Sequence, residues 1–321
     1  MPGRDPIDDG VRESSIVLSI IVATYNARDL LLDCLQSVYN NPPSEPYEII
    51  VVDDASSDGT SEAVRDRFPE VHLLLNEINR HYAGANNRAF RRARGRYIYL
   101  LNNDTVVLPE ALNRMLAFLR EHPEAGAVGS KLLNEDGTLQ WSVKSLPSPG
   151  SALFGARSII TKLFPGNRYS RKHLLHLHRD LSTPFVAGYV SSASIMIPRE
   201  VIDQVGALDT RLSYHVDADY CKRISDIGYK SYYLPTAVIV HFNHKGGTMV
   251  SFKRRFRSIV EFHRGSYIYY CKHIRRSRWT PLQAVVITGL LIRFLLSLAT
   301  QAFAEVPGLT RHLSLQKKAV Q

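Results

Sequence analysis

The chain has 321 residues, 45% hydrophobic and 22% charged, with no self-similar period. This excludes a disordered chain, a coiled coil, collagen, a solenoid and a multi-span membrane protein. Lys and Arg number 40 against 30 Asp and Glu, a formal charge of +10, which leaves nucleic acid, anionic membrane or a phosphorylated small molecule as partners to separate. Three scattered cysteines, Cys34, Cys221 and Cys271, argue against a disulfide framework or a zinc site and fit a reducing compartment.

Residues 1–14 read as a polar leader without the apolar segment of a signal peptide, so a cytoplasmic catalytic body is expected. Residues 16–22 are a short apolar run rich in β-branched side chains, a buried strand ending at Thr24-Tyr-Asn26. Apolar residues at 30, 31, 34, 35 and 38 predict a helix, which Asn40-Asn-Pro-Pro43 stops. The cycle repeats. Strands are expected at 47–52, 71–75 and 97–101, and helices from the turn at 56–60, at 83–94 and at 109–121. Alternating strands and helices predict an α/β fold with a mostly parallel sheet covered on both faces. Ligands of such sheets bind beyond the carboxyl ends of the strands. Three polar clusters fall there: Thr24 to Asn26, Asp53-Asp54 and Asn102-Asn-Asp104.

Beyond Ala125 the pattern is mixed. A turn is expected at 134–137 and a mobile loop over 145–183, which is rich in Pro, Gly, Ser and His. A strand at 190–197, helices at 199–205 and 217–227, and short strands at 229–234 and 237–240 follow, the last ending at His241. Residues 251–280 then carry nine Lys or Arg, one acid and interleaved aromatics. Next comes a mostly apolar stretch, 282–304, with Arg293, Ser297, Thr300 and Gln301 on one polar stripe. The stripe favours a helix lying in a membrane interface. A spanning helix and a helix packed on the catalytic body are the alternatives. The domains expected are a leader (1–14), a catalytic domain (15–250) and a basic, amphipathic helical tail that associates with membrane (251–321).

Each polar cluster has two readings. A carboxylate in Asn102-Asn-Asp104 can hold a hard divalent cation, and the cation a diphosphate; otherwise the tripeptide is a strand-end turn. Asp53-Asp54 can accept hydrogen bonds from a base or ribose, or cap a turn. Asp217 and Asp219 open a helix, as a general base or as helix-capping charge. His241 is a metal ligand or a packed side chain.

Taken together, the residues resemble family-2 glycosyltransferases. The resemblance is carried by Ser19-Ile-Ile-Val-Ala-Thr-Tyr-Asn26, Ile49-Ile-Val-Val-Asp-Asp-Ala-Ser-Ser-Asp-Gly-Thr60, Ala83-Gly-Ala-Asn-Asn-Arg88 and Gly95-Arg-Tyr-Ile-Tyr-Leu-Leu-Asn-Asn-Asp-Thr105. Val205-Gly-Ala-Leu-Asp209, Asp217-Ala-Asp-Tyr-Cys221, Gly228-Tyr229 and Val240-His241 follow in order, over roughly residues 16–247. Asp136-Gly-Thr-Leu-Gln140 and Pro147-Ser-Pro149 look like the rhamnosyltransferase-like members.

The resemblance implies a GT-A fold, a nucleotide-sugar donor and an inverting transfer to a glycan or polyprenyl-linked acceptor in cell-surface polysaccharide synthesis. It implies that Thr24, Tyr25, Asn26, Asp53 and Asn87 line the nucleotide-sugar site, with Asn103 and Asp104 in the place of the family's DxD motif. Asp104, with His241, would hold Mg2+ or Mn2+, and Asp217 would be the base. Three departures stand out: Asn in place of the motif's first Asp, Val216 where many relatives have Glu, and His81-Tyr82 where Gly and Phe are usual. Arg275-Arg-Ser-Arg-Trp279 lacks the Gln of the processive synthases' QxxRW motif, which favours single addition. The basic tail favours an anionic membrane surface through residues 251–304 and a peripheral place on the inner face of the plasma membrane. Two rival classes are a catalytically degenerate sugar-binding relative and a nucleic-acid-binding protein. The acidic strand ends, which repel phosphate, speak against nucleic acid.

Overall fold

The computed structural model describes residues 16–148, 164, 180–242, 252–275 and 281–304. The leader, most of the expected loop at 145–183 and the end of the tail lie outside the described residues.

The first half follows the expected alternation. In chain order come β1 (Leu18–Thr24), α1 (Arg28–Asn40), β2 (Tyr47–Asp53), α2 (Thr60–Arg67), β3 (His72–Leu75), α3 (His81–Phe90) and β4 (Tyr97–Asn102). A two-residue turn leads to β5 (Thr105–Val107), then α4 (Ala111–Glu121) and β6 (Ala125–Leu133). The second half holds β7 (Val143–Lys144), β8 (Phe185–Ala187), β9 (Tyr189–Val190), β10 (Ser194–Pro198), α5 (Arg199–Val205), α6 (Val216–Asp226) and β11 (Lys230–His241). Two long helices close the chain, α7 (Phe252–His273) and α8 (Pro281–Ala304).

Among the described residues one large sheet runs in the order β3-β2-β1-β4-β10-β6-β11-β5, with β8 beside β11. The β1–β2, β1–β4 and β6–β11 ladders are parallel, whereas β10 runs antiparallel between β4 and β6. Strands covered on both faces must be apolar on both, and β1 shows it. Leu18, Ile20 and Val22 pack into one core with Leu31, Leu35 and Met115, while Ile21 packs into the other with Ala85, Val201 and Ile224.

Three expectations change. β6 is a nine-residue strand where only mixed pattern is legible. Its Gly129 is obligatory, since a Cβ there would lie 2.5 Å from Val190, and such small residues mask a strand signal. The apolar run at 190–197 is divided between β9 and β10. The two short strands at 229–240 are one strand with a register break between Leu234 and Val238, around Pro235; proline cannot donate to the ladder.

Most of the basic run folds as α7, which docks on the catalytic body through Tyr269, while Tyr270 is buried against α8. Helix α8 packs back on α7 through Val286 and Leu290. Among the described residues no helix is long and apolar enough to cross a membrane. The Arg293 guanidinium lies over the Phe262 ring of α7, 4.7 Å from its centroid, so this part of the polar stripe faces the neighbouring helix.

Candidate active site

Parallel β1, β2 and β4 end together, so their terminal residues share one edge of the sheet. Thr24 is in register with Asp53, and Asn103 Nδ2 donates to Thr24 Oγ1 at 2.9 Å. Asn26, in the left-handed region (φ 48°), accepts from the backbone N–H of Ser57 at 2.7 Å and donates its own N–H to Ser56 Oγ at 2.9 Å. Tyr25 stays half exposed. Beside it a cavity of about 370 Å3 is lined by Asn26, Ala27, Arg28, Asp29, Leu30 and Asp58.

Asp53 is buried at the end of β2. Its carboxylate accepts from the Ser56 N–H at 2.9 Å and from the Ser61 hydroxyl, so it organises the loop opening α2. Asn87 is committed elsewhere. Its amide donates to the Leu208 carbonyl at 2.9 Å and accepts from the Leu208 N–H at 2.8 Å. That reciprocal pair fastens α3 to the Val205-Gly-Ala-Leu-Asp209 segment.

Asp104 sits in the turn between β4 and β5. Because β5 pairs with β11, Thr105 faces His241, and Phe242 N–H donates to the Asp104 carbonyl at 2.9 Å. This pairing brings His241 Nε2 to 3.2 Å from Asp104 Oδ1 and 3.4 Å from Asn102 Nδ2, across 139 residues of chain from the latter. Asp104 is 7% exposed. A carboxylate oxygen and an imidazole nitrogen that converge in this way fit a divalent cation such as Mg2+ or Mn2+. No group of three or more His, Cys, Asp or Glu that could hold a metal ion converges among the described residues.

Asp217 stands in the first turn of α6, behind a left-handed His215 (φ 68°), and accepts from the Ala218 N–H at 2.8 Å. Burial pushes its carboxyl above the ordinary range, with the nearby Lys144 ammonium opposing the shift. Its charge in turn helps to raise the Tyr82 and Tyr189 phenols, which burial lifts first. A half-buried carboxylate beside tyrosines at a helix start is suited to accept a proton from a hydroxyl.

The family profile described as Glycosyl transferase family 2 matches residues 19–206, more than half of the chain. The chain belongs to glycosyltransferase family 2. An N-acetylglucosaminyl-diphospho-decaprenol L-rhamnosyltransferase of Mycobacterium tuberculosis is 25% identical over 292 residues, 86% of this chain and 91% of that protein. A putative teichuronic acid biosynthesis glycosyltransferase of Bacillus subtilis is 36% identical over 127 residues, 38% of this chain and 50% of its own length. The solved structure of a mannosyltransferase from Pyrobaculum calidifontis in complex with GDP-Man and Mn2+ aligns with TM-score 0.55 and 21% identity, over 94% of this chain and 79% of that one. The fold is GT-A.

In this family-2 glycosyltransferase, Asp219 is not a partner of Asp217. It is 1% exposed and is held by Arg223 Nε at 3.0 Å, Lys272 Nζ at 2.7 Å and His273 Nε2 at 2.7 Å. The expectation that it shares the base's role is therefore corrected: its oxygens are taken by Arg223, Lys272 and the His273 imidazole. Two further neighbours escape sequence reasoning. Lys144, on the short strand β7, acts on Asp217 and lies over the Tyr189 ring, 5.7 Å from its centroid. Gln140 Oε1 lies 2.9 Å from His241 Nδ1. The Asp136-Gly-Thr-Leu-Gln140 motif singles out the second of these, but without its role.

Proposed function

We propose that this glycosyltransferase moves a sugar, rhamnose being the first to test, from a nucleoside-diphosphate donor to a hydroxyl of a glycan or polyprenyl-linked acceptor, with inversion. The observation that carries the reading is the convergence of Asp104 Oδ1 and His241 Nε2 at 3.2 Å beyond the parallel strand ends. The Mycobacterium tuberculosis relative, named for a diphospho-decaprenol acceptor, supports the acceptor class.

In this reading Thr24, Tyr25 and Asn26, with the cavity at Arg28 and Asp58, receive the nucleotide, and Asp53 shapes that wall through the Ser56 loop. Asn103, tied to Thr24, and Asp104 face the diphosphate. Asp104 and His241 would hold Mg2+ or Mn2+, which would neutralise the charge that develops on the leaving diphosphate. Asp217 accepts the acceptor hydroxyl's proton as the oxygen attacks the anomeric carbon from the face opposite the leaving group. Its raised pKa makes it a stronger base than a solvated aspartate, and a well-placed base is worth roughly 10²–10⁴ in rate. Asn87 positions the Leu208 segment.

The tail supplies the membrane part of the reading. Val285, Leu291, Ile292, Leu295 and Leu296 of α8 are exposed, while α7 beside it is basic. An outward apolar face next to positive charge suits an anionic lipid surface, where a polyprenyl-linked acceptor resides. The inner face of the plasma membrane is the proposed location.

Thermal melts with a panel of nucleoside diphosphates, with and without Mn2+, test the donor site. A Mn2+-dependent rise for one nucleotide is expected, lost in Asp104→Ala. Equal melts for every nucleotide, in folded wild type, would refute the reading.

A further inference from the structure

We propose that Gln140 is a positioning residue that fixes the tautomer of His241 and leaves its Nε2 free of hydrogen beside Asp104. The proposal rests on the reading of Asp104 and His241 as metal ligands.

A hairpin behind β6 carries Gln140. The motif Asp136-Gly-Thr-Leu-Gln140 closes a tight turn behind β6. Thr138 N–H donates to Asp136 Oδ1 at 3.0 Å, Gly137 takes the left-handed conformation (φ 80°), and the Asn134 N–H reaches the Thr138 carbonyl at 2.7 Å. Leu139 then bridges back to Leu133, and Gln140 N–H donates to the Leu132 carbonyl at 2.9 Å. Leu133 is itself in register with Val240 of β11. The turn therefore lays Gln140 against the end of β11, beside His241.

Two hydrogen bonds then fix the amide. The His241 carbonyl can only accept, so it takes the Gln140 amide nitrogen as donor, at 2.5 Å. The other amide atom, Oε1, faces His241 Nδ1 at 2.9 Å. An amide oxygen can only accept, so Nδ1 carries the hydrogen. In the neutral ring Nε2 is then a lone pair, with Asp104 Oδ1 3.2 Å away and the Asn102 amide nitrogen, which can only donate, at 3.4 Å. Two acceptors as close as Nε2 and Oδ1 favour a cation between them. Metal-ligating histidines owe their orientation to such partners of the second ring nitrogen, and loss of one typically weakens binding 10–100-fold.

The test combines two readouts on wild type, Gln140→Leu, Gln140→Glu and His241→Ala. The first is the 15N spectrum of the metal-free protein above the imidazole titration, with the His241 signal assigned by its loss in His241→Ala. The second is Mn2+ affinity from the free-ion EPR signal, with thermal melts to verify folding. Wild type is expected to show hydrogen on Nδ1, and Gln140→Leu a mixture of tautomers with Mn2+ held about 10–100-fold more weakly. Gln140→Glu, which still accepts from Nδ1, should bind more tightly than Gln140→Leu. Hydrogen on Nε2 in wild type would overturn the proposal. So would a Gln140→Leu protein with wild-type tautomer and affinity while His241→Ala loses Mn2+. Equal Mn2+ affinity in wild type and His241→Ala would overturn the ligand reading itself, and this proposal with it.

Discussion

Asp219 Oδ1 lies 2.7 Å from His273 Nε2, a contact made across 54 residues of chain. A carboxylate oxygen only accepts, so the imidazole donates from Nε2. The same oxygen takes Lys272 Nζ, and Lys272 also reaches Asp209 Oδ2 at 3.0 Å. Helix α7 is thereby fastened to α6, whose first turn presents Asp217. Lys272 and His273 thus bind the basic helix to the catalytic body.

Asp219→Ala would leave the Arg223 and Lys272 cations and the His273 N–H facing an empty buried site. Breaking a buried pair from one side costs about 3–5 kcal/mol, and a loss of that size is expected in urea unfolding. Lys272→Met, which keeps the His273 and Arg223 contacts, should cost less. A loss for Asp219→Ala within the ~0–1 kcal/mol of surface pairs would contradict the clamp.

Asp217→Asn should lower transfer by roughly 10²–10⁴ while donor binding persists. The acid limb of kcat/KM should lie above the ordinary aspartate range, because burial raises this carboxyl. Lys144→Met removes a cation that favours the ionised form and should move that limb further up. Stability carries the opposite sign to the usual carboxylate. The folded state binds the proton more tightly than the unfolded chain, so stability falls as pH rises from the unfolded to the folded pKa. Asp217→Asn should therefore melt higher than wild type at neutral pH and differ little below the unfolded value.

His215, at the start of α6, is pushed down to about 4, first by burial and then by Arg293 and Lys144. Between pH 6.5 and about 4 the unfolded chain binds a proton that the folded chain refuses. Its contribution is fully present above the unfolded pKa and is lost as pH falls through that window, by about 3–4 kcal/mol at most, taking roughly 1.4 kcal/mol per pH unit. His215→Gln should flatten the acid-side decline in denaturation midpoints. An unchanged decline would show that other groups set it.

The outward face of α8 should carry vesicle binding. Leu291→Gln with Leu295→Gln alters exposed side chains, at 55% each, and should leave the melting temperature within a few degrees. Sedimentation with anionic vesicles should fall sharply in the double variant. Undiminished sedimentation would place membrane contact elsewhere.

The strand–helix alternation of residues 18–121 is legible because strands covered on both faces must be apolar throughout, and because the polar residues that end them interrupt those runs abruptly. Thr24, Asp53 and Asp104 could therefore be placed at one edge from the sequence alone. The family followed from motifs in register. Strand β6 was not legible, since Gly129 is there for the Val190 side chain on another strand, a demand that no local window contains. Nor was the fate of Asp219 legible: beside Arg223, one turn along α6, its partners Lys272 and His273 come from α7, and only folding brings them within 3 Å. The same holds at the candidate metal site. Sequence order separates Gln140, His241 and Asp104, whereas the antiparallel β5–β11 pairing and the turn behind β6 bring them together. Local patterning determined which residues are strand, helix and polar end; long-range pairing decided which polar ends meet, because hydrogen bonds and ion pairs reach only a few ångströms.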